Sequence, residues 1–208
     1  MDPRKLTILG GLMLIAAGLI AYLAIGSEQQ GTSLQEAAQA TREAPPEISE
    51  AGLPIERVKI GNREFRLEVA ATPTSRYKGL SGRTEIKDDG GMLFVFPRRQ
   101  VRVQEFVMRD CLVPIDIIFL DPRERITAMY EMEVEPPRRE DEPQTANPAQ
   151  DRYFARLKRY SSVFPSQFVI ELKGGTLKKL KEDPEVAKML QRGQKIDINT
   201  LKLVRMAR

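Results

Sequence analysis

An α+β, mostly β fold is what this sequence predicts: a compact antiparallel domain, barrel-like or sandwiched, with short helices and one preceding transmembrane helix. Three observations carry that expectation. First, apolar and charged residues alternate at period two, as in Val58-Lys59-Ile60 and Phe65-Arg66-Leu67-Glu68-Val69, the pattern of half-buried strands. Second, the short runs Met92–Phe96 and Ile115–Leu120 are apolar throughout but for Asp116, which suits strands buried on both faces. Third, Leu6–Ile25 contains no charged residue.

That third segment sets the organisation of the chain. Twenty helical residues rising about 1.5 Å each span about 30 Å, the thickness of the hydrocarbon core. Arg4 and Lys5 precede the run and Glu28 is the first charge after it, so residues 1–5 are expected in the cytoplasm and the rest outside. The rival reading is a cleaved signal peptide, with Ala24-Ile25-Gly26 as a small-x-small site. The run exceeds the usual signal-peptide core of about 7–15 residues, which favours an uncleaved anchor over residues 6–25.

Residues 26–54 are polar and rich in Ala, Gln, Glu and Pro, a spacer with one short helix expected from the Ser33/Glu36 capping box. The folded domain is placed at residues 55–208. Gly61-Asn62 turns the first two strands into a hairpin. Thr72-Pro73 reads as an N-cap and first-turn proline and Gly79 as the stop, giving a helix over Pro73–Lys78. A strand is expected over Val101–Met108 and another along Ile126, Ala128, Tyr130 and Met132. Pro136–Gln150, polar with four prolines, reads as a long surface loop. Gln167–Leu172 returns as a strand. Leu177–Leu190 has helical spacing with a restart at Asp183-Pro184, and Ile196, Ile198 and Leu203 mark a closing strand. Without βαβ alternation, the pattern argues against a Rossmann or TIM fold.

Composition excludes several chemistries. The chain has no histidine, so it holds no Ser-His-Asp triad, Cys-His dyad or His-ligated zinc. One cysteine, Cys111, permits neither an internal disulfide nor a CxxC pair. A net charge of +4, scattered rather than clustered, with no Trp and 6% aromatics, argues against nucleic acid as a partner. No metal, cofactor or catalytic set is expected.

The densest group of chemical residues runs from Glu105 to Asp116. Arg109, Asp110, Cys111 and Asp116 lie between apolar strands, and a carboxylate entering an apolar run is costly unless paired or hydrogen-bonded. Met108, Arg109, Asp110 and Asp116, with Arg76 on the short helix, are therefore the candidate ligand-binding residues. The structural alternative is a turn cap and an ion pair that fix the strand connection.

The runs Ala71-Thr72-Pro73, Arg76, Gly79-Leu80, Gly91–Pro97, Leu112–Asp121, Tyr160-Ser161-Ser162 and Phe168–Leu172 resemble the prokaryotic domain family DUF192. The resemblance implies a small β-rich domain, often exported or membrane-attached, and brings no established activity or cofactor. Where that family commonly reads Phe-Trp-Met-Lys-Asn-Thr, this chain has Phe106-Val107-Met108-Arg109-Asp110-Cys111. Lys to Arg keeps the charge and changes its geometry.

The expected function is a membrane-tethered binding or assembly module of the cell envelope, with a small ligand or an envelope protein as partner. The alternative is an enzyme acting on envelope polymers through Asp110 and Asp116, which requires both carboxylates to face one cleft.

Overall fold

The computed structural model describes residues 46–145 and 150–207. The expected anchor, residues 6–25, and most of the linker lie outside the described residues. Among the described residues no helix is long and apolar enough to cross a membrane.

Strands β1 (Ile55–Ile60) and β2 (Arg63–Ala70) form the expected hairpin, in register from Ile55/Glu68 to Ile60/Arg63. Val58, Ile60, Phe65 and Leu67 are buried while their charged neighbours face out, as the alternation requires. Helix α1 (Pro73–Lys78) begins where the sequence indicates. The Thr72 hydroxyl accepts the Ser75 N–H, the Ser75 hydroxyl accepts the Thr72 N–H, and Pro73 occupies the first turn.

Strands β3 (Gly90–Val95), β4 (Glu105–Phe106), β5 (Ile115–Leu120) and β6 (Ile126–Met132) follow, then helix α2 (Arg152–Arg156) and strands β7 (Tyr160–Ser161) and β8 (Phe168–Lys173). The chain closes with three short helices: α3 (Thr176–Leu180), α4 (Pro184–Met189) and α5 (Thr200–Met206).

Six strands form one sheet in the order β1-β2-β3-β8-β5-β6, and β4 and β7 form a separate two-stranded ribbon. The sheet is open, with β1 and β6 as its edges, so the barrel expectation is corrected. It is also mixed: β2 and β3 run parallel, because residues 71–89 carry the chain back to the start of the sheet through α1. This crossover escapes periodicity analysis because a helix of six residues is too short to display a 3.6-residue repeat. Gly91 is required at the crossover's end, since a Cβ there would stand 2.2 Å from the carbonyl oxygen of Glu171 on β8.

Two further expectations are corrected. Val101–Met108 is not a continuous strand; only Glu105 and Phe106 pair, with Ser161 and Tyr160, and Arg102 makes an isolated bridge to Ser166. Gln104 instead ties the segment down, its N–H donating to the Ser162 hydroxyl. The closing strand is helix α5, capped by the Asn199 side chain accepting the Lys202 N–H. Ile196 still sits at the sheet edge, its N–H bonded to the Glu124 carbonyl.

The sheet separates two cores. Phe65, Leu93, Ile118 and Ile170 pack on one face against Leu177, Val186 and Leu203 of α3–α5. Met92, Phe94, Ile117, Phe119 and Val169 pack on the other with Leu80, Met108, Cys111 and Tyr160. The central strands β3, β5 and β8 are thus covered on both sides, which explains their continuous apolar runs.

Candidate functional site

A cavity of about 740 Å³ opens on the second face of the sheet, between α1, the ribbon and the loop that carries Arg109 to Cys111. Its walls combine aromatic rings with charged groups. Phe94 and Phe106 meet edge to face at 5.0 Å between centroids and continue an aromatic row through Phe119, Tyr130 and Tyr160.

Arg76, Arg109 and Asp110 line this cavity; Met108 and Asp116 do not. Arg76 donates to the carbonyls of Ala71 (2.7 Å) and Val95 (3.0 Å) and lies over the Phe96 ring, so it fastens α1 to the end of β3. Burial, then the nearby Arg99 charge, hold its pKa below the usual arginine value. Arg109 stacks on the Tyr77 ring at 3.9 Å and donates to the Tyr77 carbonyl at 2.6 Å. Its ion pair with Asp110 is long, at 3.9 Å. Asp110 adopts φ 53, the left-handed region in which Asn and Asp are the least costly non-glycine residues. An Asp in place of the family's usual Asn therefore keeps the turn.

Met108 is 1% exposed and packs in the second core. Asp116 is 1% exposed and lies across from Leu172, on the sheet face opposite the cavity. Its carboxylate accepts the N–H groups of Gly175 (3.2 Å) and Leu177 (2.6 Å), anchoring the start of α3. Burial raises its pKa, and those two hydrogen bonds work against the rise. Asp110 and Asp116 consequently share no cleft, and the acid–base pair that an enzymatic reading requires is not assembled.

The cavity instead contains a carboxyl group that the sequence reading passed over. Glu171, on β8, stands opposite Met92 and Ile117, which places its side chain on the cavity face. It is 6% exposed and lines the cavity. Among the described residues its carboxyl makes no hydrogen bond or ion pair, and burial alone pushes its pKa up to about 8. Every fully enclosed side-chain polar atom among the described residues has a partner, so the unpartnered Glu171 oxygens must open onto the cavity. The signal was present in the sequence. A glutamate at the centre of Phe168-Val169-Ile170-Glu171-Leu172 is as anomalous as Asp116 before its own apolar run.

Cys111 adjoins this group. Burial first, then the Glu171 and Asp110 carboxylates, push its thiol up to about 12, against the Arg109 charge. It is a buried thiol, not a nucleophile.

The Pro136–Gln150 segment is more than a surface loop. Arg138 makes a two-pronged pair with Asp151 at 2.8 and 2.9 Å, and Arg156 pairs with the buried Glu142 at 2.7 Å. Both guanidinium groups flank the Tyr153 ring. The Arg156 hydrogen bond holds the Glu142 carboxyl down at about 2, and Arg138 lowers Asp151 in the same way. These contacts hold Arg138 and Asp151 at the cavity margin. A second hollow of about 370 Å³ lies beside β2, where Arg66 pairs with Glu47 and Arg83 with Glu68.

The DUF192 family, described as uncharacterized ACR, matches residues 56–187, more than half of the chain. The chain belongs to the DUF192 family. Among solved structures, this DUF192 domain is similar to a protein of unknown function from Novosphingobium aromaticivorans DSM 12444. The two are 26% identical with a TM-score of 0.53, over 76% of this chain and 96% of that one. It also shares its fold with a protein described as a candidate transcription regulator from Sinorhizobium meliloti 1021. There the identity is 23% and the TM-score 0.51, over 74% of this chain and 98% of that one. No curated protein matches the chain.

Proposed function

We propose that this DUF192 protein is a binding module of the cell envelope, tethered to the membrane by Leu6–Ile25, that takes a small ligand into the cavity above Glu171. One observation carries the binding reading: a buried carboxyl group without a protein partner, opening onto a cavity with aromatic walls. Leaving a polar group buried and unpaired costs about 1–3 kcal/mol. A fold tolerates that cost where a bound molecule supplies the missing partner. The volume of about 740 Å³ falls in the range of small-molecule sites, about 300–1,000 Å³. The tether rests on the uncharged run behind Arg4 and Lys5.

The test is a thermal-shift screen of the full-length protein in detergent against sugars, amines, carboxylates, peptides and lipid headgroups, with Glu171→Gln in parallel. A ligand at about 100 times its dissociation constant adds about 2.7 kcal/mol of stability. A shift present in the parent and absent in folded Glu171→Gln supports the reading; shifts that are identical in both, or absent for every class, overturn it. Fractionation of cells expressing the protein checks the tether. Recovery in the soluble fraction would remove the membrane part of the proposal and leave the cavity untouched.

A further inference from the structure

Resting on that reading, we infer that the ligand carries a protonated amine, which is buried against Glu171 beside the cavity's phenylalanine rings. Glu171 has no cationic partner of its own among the described residues, although four cationic side chains line the same cavity. Arg138 is committed to Asp151, Arg109 to the Tyr77 ring and carbonyl, and Arg76 to the Ala71 and Val95 carbonyls. With Lys78 they face the acidic Glu105, Asp110 and Asp151 of the lining, so only one positive charge remains in excess while Glu171 is protonated. Ionised Glu171 brings that excess to zero and still lacks a contact partner.

A ligand ammonium supplies what the protein withholds. It returns the countercharge that burial of a carboxylate demands. It also suits a cavity lined by Phe94 and Phe106, since aromatic rings attract a cation more strongly in a desolvated site. A neutral ligand accepting a hydrogen bond from the protonated acid would use Glu171 without drawing on its charge. The two cases differ in the sign of their pH dependence.

Binding an amine of pKa near about 10 must release the Glu171 proton, so affinity rises with pH. With the acid titrating at about 8 in the empty cavity, the dissociation constant should fall about 50-fold between pH 6 and pH 8, then level off. A neutral acceptor, or an anion, loses affinity across the same interval.

The experiment is calorimetric titration of the full-length protein with matched probes at pH 6, 7 and 8. Nα-acetyl-lysine amide is compared with its Nε-acetyl derivative, which keeps the skeleton and deletes the charge. Glycerophosphoethanolamine is compared with glycerophosphoglycerol, which lacks the amine. Tighter binding of either amine than of its uncharged counterpart, rising with pH and lost in Glu171→Gln, is the expected result. The amine that binds tells whether the source is a peptide or a lipid headgroup. Equal binding of both members of each pair, or affinity that falls as pH rises, overturns the inference. So does a ligand without an amine emerging from the screen while both amines fail; the cavity would then still be a binding site. Failure of every probe and every screened class removes both readings.

Discussion

The hydroxyl of Tyr153 accepts a hydrogen bond from the backbone N–H of Asp110 at 3.0 Å, joining α2 to the left-handed turn at the cavity wall. Tyr153 is 1% exposed and its ring is held between Arg138 and Arg156. The segment that the sequence presents as a polar loop therefore supports the site through Arg138, which holds the ring of this phenol in α2. Tyr153→Phe keeps the ring and deletes the acceptor, leaving the Asp110 N–H without its partner. The expected cost is about 1–2 kcal/mol by urea denaturation, with faster amide exchange at residue 110. Unchanged exchange there would show that the turn holds itself.

Asp116 has the opposite character, since its carboxylate serves the fold. Asp116→Ala strands the N–H groups of Gly175 and Leu177 at the start of α3 and should cost about 2–4 kcal/mol. Asp116→Asn retains one oxygen acceptor and should cost less than half as much. Ligand binding in the cavity should survive Asp116→Asn, because the residue lies on the other face of the sheet. Loss of binding at full stability would place Asp116 in the site after all.

Glu171 makes stability depend on pH in a defined direction. Its folded pKa, about 8, lies above the ordinary glutamate value of 4.5, so the folded state holds a proton that the unfolded chain has lost. The stability this represents, several kcal/mol, is fully present below about pH 4.5 and is lost as pH rises through about 8. Melting temperature should therefore decline from pH 5 to pH 8 in the parent and much less in Glu171→Gln. Asp116, whose pKa burial also raises, acts in the same sense in both proteins. Parallel profiles for the two proteins would show that Glu171 is solvated in solution.

Cys111 should be inert in the folded protein. With the thiol at about 12 and 9% exposure, reaction with iodoacetamide at pH 7.5 should be at least about tenfold slower than for a free cysteine. Unfolding in urea should restore the ordinary rate. Rapid alkylation under native conditions would mean that the loop at residues 109–111 opens often.

Local features were legible wherever a short-range rule decides the outcome. The Thr72-Pro73 and Asp183-Pro184 caps, the Gly61 hairpin and the two doubly buried strands are dictated by neighbours a few residues apart. The Asn199 cap belonged to the same class, and the Ile196/Ile198 alternation masked it. The site was legible in part. Arg76, Arg109 and Asp110 do meet at one cavity, while Met108 and Asp116 answer to packing and to helix α3. Glu171 carries the same anomaly as Asp116, and whether such a carboxylate caps a helix or opens onto a cavity is decided by strand pairing and not by its neighbours in sequence.

The sequence by itself determined the DUF192 resemblance, the absence of histidine-based and internal-disulfide chemistry, the β1–β2 hairpin, the two doubly buried strands and the Thr72 and Asp183 caps, because each depends on residue identity or on contacts a few positions apart. The tertiary structure alone decided that β8 lies between β3 and β5, that β2 and β3 run parallel, and that Asp116 and Glu171 occupy opposite faces of one sheet. Those outcomes depend on which distant strands pair and in what register. A shift of one residue in register would exchange the faces of every side chain on a strand, and no local pattern encodes that choice.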